Sequence, residues 1–405
     1  MLSSSAFKNK QIIIISSSSM MRSIGMGASW PFMAIFLSLY VHLAVYIVGL
    51  IFTLLSLMSM VFSILGGYLA DLKGRKFTLY LGSISGIFIY FGIAMAFLIH
   101  LYTFTVVLFV LSSFSGSMVY PSASALIADY TNSQNREKGY AFYRILSNIG
   151  WAVGPLMGSL IFSAGIIYIF YALSITGVLQ AIIVFFIKNR KPIATYTGKK
   201  NPFLVYDKFL FIFSIATFFI ILVSSQFSVS LPLYAEIVIH LNPDFLGYIY
   251  AINGLIVVAG QYPLIKLFSR FGDLNTFIAG TIFYAIGYFI IAFSHNLFGL
   301  MFDMSIITIG ENLTTPTINT VISKMAPANK TGRYMGFNSM FNSIGRAFGP
   351  SIGTSIMYFF NFNGFISWSL IATFGIFSII TVLVFGNMYK NSGNTYIEMG
   401  KKHVR

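Results

Sequence analysis

The 405-residue sequence predicts an all-α integral membrane protein, with twelve transmembrane helices in two pseudo-symmetric six-helix bundles. Three observations carry that expectation. Hydrophobic residues make up 57% of the chain and charged residues only 9%, where a soluble domain carries about 25% charged residues. Apolar runs of bilayer-spanning length recur from one end to the other, each long enough for a helix that rises about 1.5 Å per residue. Finally, the cations are arranged loop by loop, and the second half repeats the first.

Polar interruptions place the spans near 11–40, 44–70, 77–99, 103–128, 139–162 and 165–187, then near 208–235, 244–268, 274–294, 297–323, 334–359 and 363–387. Lys8 and Lys10 precede the first run as they would in a signal peptide. The run is too long for one and lacks an Ala-x-Ala cleavage site, so it reads as a retained first helix. All Lys and Arg except Arg22, Arg144 and Arg346 fall in the terminal tails or around the loops after spans 2, 4, 6, 8 and 10. The loops after the odd-numbered spans hold none. By the positive-inside rule both termini and the cation-bearing loops are cytoplasmic. Residues 188–207 then form a cytoplasmic linker between an N-terminal bundle (1–187) and a C-terminal bundle (208–387), and 388–405 form a cytoplasmic tail.

The net charge of +15 is therefore a topology signal. A nucleic-acid surface would not alternate in this way, so nucleic acid is not an expected partner. With no cysteine, disulfides and thiolate metal sites are excluded. There is no P-loop, no HExxH and no plausible Ser–His–Asp set, which argues against an enzyme and implies neither cofactor nor metal. Any transport would draw on an ion or solute gradient.

The two halves superpose without a gap over YPSASALIADYTNSQNREKGYAFYRILSNIGWAVGPLMGSLI and TPTINTVISKMAPANKTGRYMGFNSMFNSIGRAFGPSIGTSI. Pro121 falls on Pro316, an offset of 195 residues that also maps Gly150, Gly154, Pro155 and Gly158 onto Gly345, Gly349, Pro350 and Gly353. Internal repeats of this kind place a substrate site near the bilayer midplane between the halves.

Between spans 2 and 3 stands GGYLADLKGRK, a G-x-x-x-D-x-x-G-R-K pattern made by Gly67, Asp71, Gly74, Arg75 and Lys76. Topology alone explains the two cations but neither Asp71 nor the glycines. With the twelve spans and the GWAVGPLMG stretch of span 5, this motif resembles the major facilitator superfamily over the whole chain. The resemblance implies a cytoplasmic gating element in which Asp71 lies against the start of helix 11 and Arg75 pairs with Asp129 at the end of helix 4. The second half keeps Gly272 but has Ser269 where the acid would stand, so any such latch is expected to be asymmetric. The G-x-x-x-G-P-x-x-G pattern of span 5 resembles the antiporter motif of drug-efflux members, with Ser159 in place of the closing glycine. Close helix packing is the alternative explanation, because small residues four apart let helices approach.

Charges inside spans are expensive and mark functional sites. Arg22 lies in the middle of span 1, Arg346 at similar depth in span 11, and Arg144 a little shallower in span 5. Span 10 carries Asp303 in its outer third and Glu311 near its centre. Helical phase puts Arg144, Asn148 and Trp151 on one face of span 5, away from its glycines, and the repeat maps Trp151 onto Arg346. With Gln226 of span 7, these residues form the expected substrate and proton cavity: Arg22, Arg144, Asn148, Trp151, Gln226, Glu311 and Arg346. Glu311, and after it Asp303, are the candidates for proton coupling. A permanent acid–arginine pair that only fixes helix packing is the competing reading. Trp30, Tyr120 and Tyr234 are further aromatic candidates, and His42, His100, His240 and His295 sit at outer loops or span ends.

The expected function is secondary active transport by alternating access in the plasma membrane, as a monomer in the lipid bilayer. Protons or another ion would drive export of hydrophobic or cationic small molecules. The arginines leave open uptake or exchange of an organic anion or sugar phosphate. A membrane receptor or scaffold that kept the fold without transport is the reading from a different class.

Overall fold

The computed structural model describes residues 9–131, 135–188, 207–327 and 330–392. The expected linker, apart from its end residues, and the expected tail from 393 onward lie outside the described residues. Among those residues there are thirteen α-helices and no strand. Twelve are long: α1 (Lys10–Ile35), α2 (Val45–Lys73), α3 (Arg75–Leu98), α4 (Tyr102–Tyr130), α5 (Arg136–Ala164) and α6 (Ile166–Phe185), then α7 (Lys208–Ser224), α8 (Leu246–Phe268), α9 (Asp273–Ile290), α10 (Leu297–Met325), α11 (Thr331–Phe359) and α12 (Gly364–Asn391). The thirteenth, Ser230–Ile237, is a short continuation of α7.

Ten helical stretches are both long and apolar enough to cross a membrane. The two that fall short in hydropathy are α10 and α11, each 29 residues long. They are the helices that carry Asp303, Glu311 and Arg346 among many Ser, Thr, Asn and Gly residues. Polar content in a helix of spanning length points to a lining role.

Span 7 is not the continuous helix expected over 208–235. It stops at Ser224, passes through a 3₁₀ turn at Ser225–Ser228 and resumes at Ser230. Three successive side chains compete for the last-turn carbonyls. Ser224 Oγ donates to the Ile221 carbonyl at 3.0 Å, Ser225 Oγ to Leu222 at 2.7 Å, and Gln226 Nε2 to Leu222 at 3.0 Å. Side chains that bond back to the ladder in this way loosen it.

The outer loops turn on residues with positive φ: His42 at 61°, His100 at 58° and His240 at 55°. The residue after each returns its N–H to the preceding helix end, Leu43 to Leu37, Leu101 to Ala96 and Leu241 to Ala235. Three of the four outer histidines therefore terminate helices in a backbone role, a position glycine usually fills.

Two compact units divide the chain. The first holds the chain through Ala44, Ile51 to the end of α6, and Asn242–Ala251. Here α1 packs on α5 and α6, and α3 packs on α4 and α6. The second holds Val45–Leu50, α7 and most of the chain from Ile252 onward. Its packing repeats the first with helices shifted by six: α7 on α11 and α12, α9 on α10 and α12.

The glycine faces make these contacts close. A Cβ on Gly150 would lie 2.6 Å from Ser23 Cβ, and one on Gly154 would lie 2.8 Å from the backbone of Gly27 and Ala28. In the second unit a Cβ on Gly345 would lie 2.8 Å from the Phe218 carbonyl, and one on Gly349 would lie 2.9 Å from that of Leu222. Gly158 meets the backbone of Ala28 in the same fashion, whereas Gly353 meets the side chains of Gln226 and Ser230. Both repeats of the span-5 pattern thus seat one helix closely against the first helix of its own half.

Candidate functional site

The short link after α2 is built on Gly74, whose φ of 98° strains any other residue. The turn delivers Arg75 to the start of α3, where its Nη1 donates to Asp129 at the end of α4 and, at 2.8 Å, to the Ala125 carbonyl. Lys76 donates to the Phe185 carbonyl at 2.8 Å. Asp71 is exposed at the last turn of α2, and a Cβ on Gly67 would touch nothing within 4 Å.

The second half has the same device with the charges exchanged. Gly272, with φ at 90°, delivers Asp273 to the start of α9, and Lys324 at the end of α10 donates to it at 2.5 Å. Lys324 stands 195 residues after Asp129, the offset of the repeat. Ser269 still stands in the place of Asp71, but Asp273 takes the place of Arg75, and the link of the second half is clasped by a pair of opposite polarity.

In the first unit the polar face of α5 is open. Arg144, Asn148 and Trp151 are all exposed, while Gly150, Gly154 and Gly158 are buried against α1. Arg22, at the centre of α1, donates to Ser115 Oγ at 3.3 Å and occupies space left by Gly116, whose Cβ would fall 3.1 Å from Nη2. Ser159, the departure from the glycine pattern, accepts the Gly247 N–H at 2.9 Å.

The second unit contains a cavity of about 360 Å³ among α7, α8, α9, α10 and α11. Glu311, the fifteenth of 29 residues in α10, and Arg346, the sixteenth of 29 in α11, both line it. Asn253 of α8 fixes the carboxylate: its Nδ2 donates to Glu311 Oε2 at 3.0 Å and to Thr308 Oγ1 at 2.9 Å. From the next residue of α10, Asn312 Nδ2 donates at 3.0 Å to the carbonyl of Ile256, about one turn beyond Asn253 on α8. Two amide contacts therefore pin α8 to α10 at the level of the acid. Behind the lining, buried Tyr284 and Tyr288 stack in parallel with centroids 6.2 Å apart, and Tyr288 continues onto buried Trp368 at 5.9 Å. Tyr288 is oriented by its hydroxyl, which donates to the Ser224 carbonyl at 3.1 Å, next to the break in span 7. The result is a chamber whose lining holds Glu311, Arg346 and amide groups, braced by a buried aromatic stack.

Two sequence candidates lie away from this chamber. Asp303 is 3% exposed and accepts from Ser294 Oγ at 2.5 Å, holding the outer end of α10 to the loop before it. Gln226 is fully buried and donates to the Gly349 carbonyl at 2.9 Å while accepting from Ser230. It joins the broken span 7 to α11 and does not line the cavity. Tyr234 likewise packs edge-on against Trp368 in the interior. Asn253 was not among the sequence candidates. A single asparagine in an apolar helix sets up no pattern, and only its position opposite Glu311 reveals it.

Comparison with known proteins decides the family. The sequence pattern described as Major Facilitator Superfamily matches residues 15–350 and, overlapping, 213–395. The chain belongs to the major facilitator superfamily. Among superfamily relatives, the "Uncharacterized MFS-type transporter YttB" of Bacillus subtilis (strain 168) is 26% identical over 384 residues, spanning 91% of this chain and 94% of its own. The quinolone resistance protein NorA of Staphylococcus aureus (strain MSSA476) is 25% identical over 354 residues, 86% of this chain and 90% of its own. The crystal structure of the nucleoside transporter NupG shares the superfamily fold with a TM-score of 0.75, covering 94% of this chain and 99% of its own at 14% identity. At that identity the likeness is one of fold alone.

Proposed function

We propose that this transporter-family membrane protein is a secondary active transporter that exports hydrophobic or cationic small molecules from the cytoplasm in exchange for protons. The observation that supports it best is Glu311: a carboxylate at the centre of a spanning helix, lining a roomy cavity, held by an amide and making no ion pair among the described residues. The relatives include a protein named for quinolone resistance, which favours export of organic compounds. In this reading the protein lies in the plasma membrane with its cation-rich face and both termini in the cytoplasm.

Ionised Glu311 attracts a cationic group, and Ile221 and Phe227 of the lining accept the apolar body. Protonation removes the charge and with it the attraction, so a proton arriving from the acidic side displaces the substrate there. Alternating access exposes the same group to each side in turn. In the first unit, exposed Arg144, Asn148 and Trp151 and half-buried Arg22 are the further groups assigned to transport in this reading. At the cytoplasmic face Gly67, Asp71, Gly74, Arg75, Lys76 and Asp129 form the gate.

The test is accumulation in proteoliposomes under an imposed pH gradient. Cationic amphiphiles are expected to concentrate on the acidic side, and Glu311→Gln is expected to abolish the response to the gradient. Gradient-driven accumulation that survives in the variant would remove Glu311 from the coupling step. Accumulation of simple anions alone would replace this reading with anion exchange.

A further inference from the structure

The cavity presents an acid and a guanidinium that do not pair with each other. Glu311 and Arg346 line the same chamber, each at mid-helix, yet no ion pair joins them. Among the described residues Glu311 is engaged through Oε2 by Asn253. Arg346 is exposed on the face of α11 that bears Ser339 and Ser343, beside the buried glycines that seat this helix on α7. Two unlike charges left apart inside a membrane domain are each costly without a partner.

We infer that the ligand of this cavity is zwitterionic: a small organic molecule carrying both a basic nitrogen and a carboxylate or similar acid group. This rests on the reading of the cavity as the transport site and adds a requirement to it. A ligand with only a cation satisfies Glu311 but leaves its charge facing Arg346. A ligand with only an anion does the reverse. A ligand with both gives each protein group a partner, and the planar fork of Arg346 suits a carboxylate in two-point contact. The volume of about 360 Å³ is in the range that holds small organic molecules. Ile221 and Phe227 in the same lining give the ligand's apolar body a contact surface. Proton exchange then has a defined effect, because protonating Glu311 releases the basic end while Arg346 keeps its hold on the acidic end.

The experiment uses four probes with one aromatic body: the amino acid form, its methyl ester, its N-acyl acid and the doubly blocked neutral compound. Binding to the purified full chain is measured by equilibrium dialysis at one pH, for wild type, Glu311→Gln, Arg346→Gln and Arg346→Lys, each checked for native melting and elution. The zwitterion is expected to bind roughly tenfold to a hundredfold tighter than either singly charged probe, since each end gains a charge-assisted contact. Arg346→Gln is expected to bring the zwitterion down to the level of the ester and leave the ester unchanged. Glu311→Gln is expected to bring it down to the level of the acid. Arg346→Lys is expected to keep part of the preference. An ester that binds wild type as tightly as the zwitterion overturns the inference, and the wild-type series decides this even where a variant misfolds. Arg346→Gln weakening all four probes equally also overturns it, by making the arginine a structural group. Charge-selective binding without gradient-driven movement in liposomes overturns the transport reading and leaves the charge requirement standing. If none of the four binds, both fall.

Discussion

Replacing Gly154 by alanine tests whether backbone contact between α1 and α5 holds the first unit together. The added Cβ would lie 2.8 Å from Gly27 Cα, the Gly27 carbonyl carbon and Ala28 N, all main-chain atoms that cannot rotate away. Ordinary contact begins near 3.4 Å, so the helices must separate by about 0.6 Å at this crossing. Forcing an extra methyl into a packed interior costs about 1–3 kcal/mol. Against this, alanine favours helix over glycine by about 1 kcal/mol. Gly67→Ala supplies the control, because in mid-α2 its Cβ meets nothing within 4 Å and only the helix preference acts. The difference between the two variants removes that preference and leaves about 1–3 kcal/mol, with Gly154→Ala the weaker protein. Thermal unfolding of the detergent-purified variants, followed by tryptophan fluorescence at one scan rate, reads the order. Gly349→Ala is expected between them, because its nearest neighbour is the hydroxyl of Ser225, which can rotate, while the Leu222 carbonyl at 2.9 Å cannot. Equal melting of Gly154→Ala and Gly67→Ala would refute the claim that the glycines set the α1–α5 distance.

Two further outcomes follow from the loops. A double-mutant cycle on Arg75 and Asp129 is expected to give a coupling of about 1–3 kcal/mol in the same unfolding assay. Arg75→Asp combined with Asp129→Lys, which copies the polarity of the second half, is expected to recover most of the loss. Additive single effects, or a swap as damaging as the two singles together, would show that the pair contributes little. At the outer turns, His42→Gly and His240→Gly are expected to stabilise the protein by up to about 1 kcal/mol, since both residues sit at positive φ. His100→Gly should gain less, because its ring bonds the Tyr102 hydroxyl at 3.0 Å. The pH profile of transport should not move in any of the three. A shifted profile would give these histidines a titrating role.

The spans and their alternating cations were legible because membrane thickness and charge bias act on composition, which a sequence shows directly. The glycine faces were legible because a spacing of four is a helical repeat, and the internal repeat showed the pattern twice. What remained hidden depended on partners distant in sequence. The break after Ser224 comes from three adjacent side chains turning back onto carbonyls, and SSQFS inside an apolar run carries no marker for it. Gln226 reads as a cavity residue by polarity and depth, but Gly353 leaves the space and Gly349 the carbonyl that draw it into a helix contact. Asp273 was overlooked because an acid was sought only at the counterpart of Asp71, whereas Asp273 stands at that of Arg75. Asn253 became visible only through Glu311.

The two clasps have one more consequence, for the way a repeated protein finds its own partners. Their halves are alike enough that the start of α3 and the start of α9 are alternative mates for the ends of α4 and α10 while the chain is being assembled. Had the second pair kept the order of the first, each wrong match would have been as attractive as the right one. With the order reversed, Arg75 at the end of α10 meets Lys324, and Asp273 at the end of α4 meets Asp129. Like charges at that range repel. A duplicated architecture thereby carries a two-letter address, written in sign, that tells each helix hairpin which half it belongs to.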